Sequence, residues 1–143
     1  MVDNGVYLNP TMVGRYGYFA DSLRDQAAVD FQSFEFGGLY SDMPERDKDG
    51  VRAWWVRAAD WDAKRLALHE QGLSKVETFL KLFSEAGGKV LVATDSGEDK
   101  LVGIGLHREM KMLADAGITP YRILLGATRW PAEMTYQDES IAS

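Results

Sequence analysis

Apolar residues along the chain fall into blocks separated by glycine, proline and charge, and the spacing inside each block predicts an element. Gly5-Val6-Tyr7-Leu8 is a short apolar run stopped by Asn9-Pro10, which predicts one strand near 5–8 followed by a turn. The next stretch is rich in aromatics (Tyr16, Tyr18, Phe19, Phe31, Phe34, Phe36) and ends at Gly37-Gly38. Leu23, Ala27 and Ala28 have helical spacing within it, so it reads as partly helical. Residues 41–50, Ser-Asp-Met-Pro-Glu-Arg-Asp-Lys-Asp-Gly, are polar with one proline and a terminal glycine, the composition of a solvated loop. Asp47 and Asp49 in this loop lack the twelve-residue ligand order of a calcium site.

From Val51 to Leu68 the chain has no glycine or proline and carries Trp54, Trp55, Trp61 and Leu66 among charges, which predicts a helix. Ser74-Lys75-Val76-Glu77 matches a capping box, with Ser74 as N-cap and Glu77 as its reciprocal partner. Val76, Phe79, Leu80 and Phe83 then recur at i, i+3, i+4 and i+7 as one buried face, and Gly87-Gly88 ends the helix. Lys89-Val90-Leu91-Val92-Ala93-Thr94 is continuous rather than alternating, the pattern of a parallel strand buried on both faces. A helix with Leu106, Met110, Leu113 and Ala114 follows and is closed by Gly117. Thr119 as N-cap and Pro120 at N1 open another helix, carrying Ile123, Leu124 and Ala127. Pro131 begins a further helical turn, and the tail from Thr135 is polar.

These elements sum to an α/β chain of 143 residues, a length that taken alone fits one domain. The absence of cysteine excludes a disulfide scaffold, a thiolate zinc site and a cysteine nucleophile. Net charge is −6, with four basic and nine acidic side chains in the first 50 residues, which argues against nucleic acid as the main partner. No run of about 18 apolar residues exists to span a membrane, and the N-terminus has neither a basic leader nor an apolar h-region. A cytoplasmic protein is the expectation.

The order helix, buried strand, carboxylate, glycine, helix is the most informative chemical signal. In parallel α/β proteins functional groups gather at the C-terminal ends of strands, where Asp95 stands, followed by Ser96 and Gly97. Position alone is equally consistent with Asp95 capping a turn. Gly103-Ile104-Gly105 suggests a nucleotide loop, but the third glycine of that motif would fall at Arg108. Trp54, Trp55 and Trp61 read as packing residues, or as an interface where their neighbour lies in another chain.

Val92-Ala93-Thr94-Asp95-Ser96-Gly97, Gly105-Leu106-His107-Arg108-Glu109-Met110, Ala116-Gly117-Ile118-Thr119-Pro120 and Ala127-Thr128 resemble the C-terminal barrel segment of metal-dependent amidohydrolases. The imidazolonepropionase-like and prolidase-like branch is the nearest match. Gly5-Val6-Tyr7-Leu8-Asn9-Pro10-Thr11 resembles the penultimate barrel strand of those enzymes. The likeness covers residues 89–134, extends to 4–13, and is absent from about 14 to 50. It implies the last two strands and helices of a (β/α)8 TIM barrel, whose whole takes about 250 residues. The resemblance further implies hydrolysis of an amide-type C–N bond in a cyclic amide or an Xaa-Pro-like dipeptide. Asp95 would then bind the catalytic metal, zinc by expectation, and carry a proton from the attacking water to the leaving nitrogen.

An aspartate, whose ordinary pKa is near 3.9, is too weak a base for bulk water at about 15.7, so such a carboxylate needs a metal beside it. In the family the other ligands come from a His-x-His on the first strand, a lysine on the fourth, and histidines on the fifth and sixth. This chain has two histidines, His69 and His107, and no His-x-His. An improvised zinc site from His69, His107 and Asp95 has no recognised ligand spacing, so His69 and His107 read as ordinary helix residues. Two readings follow. The first is a C-terminal amidohydrolase portion that is inactive alone and needs the rest of its barrel. The second is a non-catalytic α/β module that self-associates or completes a partner barrel. A flavodoxin-like domain is disfavoured, because it needs about five parallel strands.

Overall fold

The computed structural model describes residues 5–16, 41–95 and 103–136, with isolated positions 2, 25, 28, 29, 31, 32 and 38. The partly helical segment expected before residue 40 therefore lies largely outside the described residues, as do Ser96, Gly97 and the tail beyond Tyr136. Two short strands and six helices are described: β1 (Tyr7–Leu8), α1 (Met12–Arg15), α2 (Glu45–Ala59), α3 (Ala63–Glu85), β2 (Lys89–Val90), α4 (Ile104–Asp115), α5 (Pro120–Ala127) and α6 (Arg129–Tyr136). The architecture is α/β in kind but mostly helical.

β1 and β2 pair in parallel, Tyr7 opposite Lys89 and Leu8 opposite Val90. Leu91 N–H extends the ladder to the Leu8 carbonyl at 2.8 Å. The strand expected over 89–94 is thus shorter as a paired element. Its burial agrees with the continuous apolar run, since Val90, Leu91 and Val92 are all buried. Backbone groups alternate sides along a strand, so the Val90 carbonyl and Val92 N–H face away from β1. There they meet α5: Val92 donates to the Gly126 carbonyl at 3.0 Å. A Cβ on Gly126 would overlap the Val90 carbonyl oxygen, so glycine is what allows this helix to lie against the strand's backbone.

Several helix boundaries differ from expectation. The loop predicted over 41–50 becomes helical at Glu45. Pro44 occupies the N-cap position, and Glu45 and Asp47 place acid in the first turn, where the helix dipole favours it. Lys48 pairs with Glu45, and Arg52 with Asp49, at i,i+3 spacing. The polar composition is that of an exposed helical surface. The helix expected over 51–68 is interrupted at Asp60, and Asp62 caps a new one by accepting from Arg65 N–H at 2.8 Å. Trp54 and Trp55 lie on the backbone of α2, but their side chains are outside the described residues.

α3 continues without a break through Ser74, so the expected capping box is not a helix start. The Ser74 carbonyl accepts from Thr78 Oγ1 at 2.9 Å, and its own position is mid-helix. Glycine at position 72 makes room for a neighbour, because a Cβ there would stand 3.1 Å from the Tyr16 ring. Gly87, at φ 94°, ends α3 in a Schellman turn, with Gly88 N–H bonding the Phe83 carbonyl and Gly87 N–H that of Ser84. Gly117 closes α4 in the same way through Leu113 and Ala114. Thr119 caps α5 by accepting from Arg122 N–H, with Pro120 at the first helical position. α6 starts at Arg129, and Pro131 sits within its first turn, where no N–H is required.

One main core joins α1, α3, β2, α4 and α5, while Val51 of α2 packs separately with Phe31 and Met43. Met12 and Val13 of α1, Leu73, Leu80 and Phe83 of α3, Val90 and Val92, Met112 and Leu113 of α4, Ile118 and Ile123 form the main core. At the N-terminal ends of the strands a polar cluster fastens α6 to the sheet. Lys89 Nζ donates to Glu133 Oε2 at 2.6 Å and to the Tyr7 hydroxyl at 3.0 Å, while Arg129 holds the other Glu133 oxygen at 2.6 Å. These contacts hold the Glu133 carboxyl below the usual carboxylate range and raise Lys89.

This packing sets the outcome of two substitutions. Alanine ordinarily stabilises a helix by about 0.5–1 kcal/mol over glycine, yet Gly126→Ala should destabilise the protein by about 3 kcal/mol through overpacking. Urea unfolding measures the sign. Glu133→Gln should lower the thermal midpoint at neutral pH. Because the folded pKa of Glu133 is depressed, its contribution is present above the unfolded value and lost as pH falls through the folded one. Melting curves of wild type and variant should therefore converge in acid.

Candidate functional site

Both strands deliver their chains to the same end of the sheet, and each does so through a residue with left-handed backbone. Thr11, three residues past β1, has φ 45°, and Asp95 has φ 52°. Aspartate enters this region more readily than most residues, whereas a β-branched threonine there is an outlier. Strain of this kind persists where surrounding contacts overdetermine it. Around Thr11 those contacts are visible.

Glu109 of α4 is wholly buried and reaches across to α1. Its Oε1 accepts from Met12 N–H at 3.0 Å and its Oε2 from Val13 N–H at 2.7 Å. One side chain thereby satisfies two N–H groups that begin α1 and have no partner within that helix. Burial pushes the Glu109 carboxyl up to about 7, while the two N–H donors pull the other way. Thr11 is consequently fixed between β1 on one side and an α1 anchored to α4 on the other.

Asp95 is exposed at the end of the segment that continues β2, and residues 96–102 lie outside the described residues. His107 is exposed on the first turn of α4. His69 lies in the first half of α3, packed against the Trp61 ring at 4.4 Å and the Tyr16 ring at 6.0 Å between centroids. Burial lowers its pKa, as does the nearby Arg65, against a backbone hydrogen bond with Arg15. Arg65 in turn stacks over Trp61 at 4.2 Å. His69 thus belongs to an aromatic packing cluster, and Trp61 with it. Among the described residues no three His, Asp or Glu side chains converge in a group able to hold a metal. His69, His107 and Asp95 are therefore not brought together.

Beside the end of β1 a cleft of about 390 Å³ opens, lined by Leu8, Pro10, Arg15, Tyr16, Val76, Phe79 and Leu80. Its lining holds one cation and one phenol and no carboxylate, so it offers apolar contact but no acid–base pair. Phe79, expected inside the core, is 44% exposed on this side of α3.

Sequence reasoning places Asp95 at the strand end but misses Glu109, and the reason is the rotational setting of α4. Leu106, Met110, Leu113 and Ala114 are the expected buried face; Leu106 is instead 42% exposed and Ala114 is also exposed. The buried positions are Gly105, Glu109, Met112, Leu113 and Ala116. Read at i, i+4, i+7, i+8 and i+11, that stripe has a carboxylate in its centre, a signal available from the sequence. No family model, curated protein or solved structure matches the chain.

If contacts rather than local preference hold Thr11 in its left-handed state, Thr11→Asn should be stabilising by up to about 1 kcal/mol, because asparagine enters that region at lower cost. Chemical denaturation measures it, and a loss of stability would show that the threonine side chain has a role beyond its backbone.

Proposed function

We propose that this chain supplies the last two strand–helix units of a metal-dependent amidohydrolase barrel, with Asp95 as its strand-end carboxylate. The observation that carries the reading is the parallel, side-by-side pairing of β1 and β2, with Thr11 and Asp95 leaving the sheet at the same end. In (β/α)8 enzymes that end carries the chemistry. The residues matching the resemblance also fall into the elements it requires: Asp95 after β2, then α4, then the capped helix α5.

The donors present do not complete a metal site. Asp95 is one carboxylate, and no cluster of three candidate ligands stands among the described residues. A zinc ion in this reading is held mainly by histidines of the other strands, with Asp95 as one oxygen ligand and proton carrier, and no reaction step is assigned to the chain alone. The substrate class is an amide-type C–N bond in a cyclic amide or an Xaa-Pro-like dipeptide, on the strength of the resemblance.

A second reading, a non-catalytic module that self-associates, is favoured by the surface of α3, where Leu68, Phe79 and Leu82 are 58%, 44% and 60% exposed. Light scattering separates the two, since a module of this kind should be oligomeric at micromolar concentration.

The catalytic reading makes a sharper demand. The reading frame extended upstream should encode a His-x-His roughly 200 residues earlier, within the span of a whole barrel. In that longer protein Asp95→Asn should lower kcat by about 10²–10⁴ for loss of a proton-transfer group, with KM little changed. The 143-residue chain should neither bind stoichiometric zinc nor turn over amide substrates. Full activity of the Asp95→Asn enzyme, or an upstream frame without the histidines, would refute the assignment.

A further inference from the structure

The seam between α1 and α4 is closed by a single ionisable side chain. Glu109 makes no ion pair among the described residues, and its partners are the Met12 and Val13 N–H groups. None of the charged groups turned toward α4 from its neighbours pairs with Glu109 among the described residues. Burial and the like charge of Asp115 act on Glu77 of α3, and the Lys81 stem packs on Gly117. Arg122 of α5 is bonded to Ser84 and to the Gly88 carbonyl. Arg15, the one charge on α1, is exposed. On α4 itself His107 is exposed and Lys111 pairs with Asp115 at 2.6 Å. Arg108, next to Glu109 on α4, is half-buried, and burial and the two backbone donors set the state of the Glu109 carboxyl, with no cation paired to it among the described residues.

We propose that Glu109 is a proton-operated latch: protonated, it keeps α1 seated on α4 and the Pro10–Thr11 turn in its strained form, and ionised, it favours release of that turn. Where Glu109 is buried its carboxyl titrates at about 7, and once the seam opens the carboxyl meets water and returns to the ordinary carboxylate range. The closed form therefore binds the proton more tightly, and rising pH shifts the balance toward the open one. The sign agrees with the fold as a whole. A carboxyl raised by folding contributes stability that is fully present below its unfolded pKa and lost as pH climbs through about 7. Thr11, at φ 45°, is positioned to relax when its anchor lets go. The latch is independent of what Asp95 binds, because it rests on the seam alone.

NMR on the full chain tests this. The Glu109 carboxyl carbon should titrate well above the exposed carboxylates. Amide exchange at Met12 and Val13, corrected for base catalysis, should speed up as pH rises from the ordinary carboxyl value of 4.5 to about 7 and level off above it, by as much as about 300-fold, the scale set by the distance between the buried and the ordinary carboxyl pKa. Glu109→Gln should abolish this dependence, and Glu77→Gln, a control on α3 outside the seam, should leave it intact. Titration of Glu109 together with the exposed carboxylates would overturn the proposal, as would unchanged protection of the two amides. If Glu109→Gln fails to fold, the carboxyl titration and exchange profile of the wild-type protein decide the question unaided.

Discussion

Segments of chain 82 residues apart meet in the pairing of Tyr7 with Lys89 and Leu8 with Val90, and α1, α3, α4, α5 and α6 are arranged around that short parallel ladder. A parallel pair cannot be joined by a tight turn, so the intervening chain must cross over, and α2 and α3 lie in that crossover. Once paired, the two strands send their chains out at one end. There α1 and the segment around Asp95 begin, while the opposite end is fastened by Lys89, Tyr7 and Glu133. The ladder itself is too short to be stable in isolation. What sustains it is burial of Val90 and Val92 in the core they share with α3, α4 and α5.

Local chemistry was legible where a residue type answers a backbone need. Gly87 and Gly117 end helices because only a residue without Cβ takes those positive φ values cheaply, and Thr119 begins one because its hydroxyl can accept a free N–H. The same logic misled at Ser74-Glu77, where the capping-box pattern occurs inside a 23-residue helix. A capping box is read only if the preceding residues are not already helical, and Gly72 hid that they are. Its missing side chain makes room for Tyr16, a contact from a distant part of the sequence. Composition misled at 45–50, since acid and base interspersed at i,i+3 spacing suit an exposed helix as well as a loop.

The candidate site was half legible. Asp95 could be placed because a strand buried on both faces announces where its end must be. Glu109 was hidden by a choice between two faces of α4 separated by about one residue's rotation, roughly 100° in a helix of about 3.6 residues per turn. Apolar residues populate both, so Leu106 and Met110 drew the expectation to one of them. Burying a carboxylate is costly. Here the cost is reduced, though not cancelled, by two backbone donors that would otherwise be stranded at the start of α1, an exchange between segments 96 or more residues apart that no local pattern encodes.

The contact between Gly126 and β2 bears on how this sheet can grow. Open strand edges invite further strands, and here one of the two is already taken: the Val90 carbonyl and Val92 N–H that point away from β1 face the last turn of α5. Among the described residues no backbone partner occupies the other edge, alongside β1. Closing a barrel at β2 would require α5 to be displaced and the Val92–Gly126 bond to be exchanged for one to the incoming strand. The α5 backbone thus acts as a stopper on the β2 side of the ladder, where the Val92–Gly126 bond must break before another strand can pair.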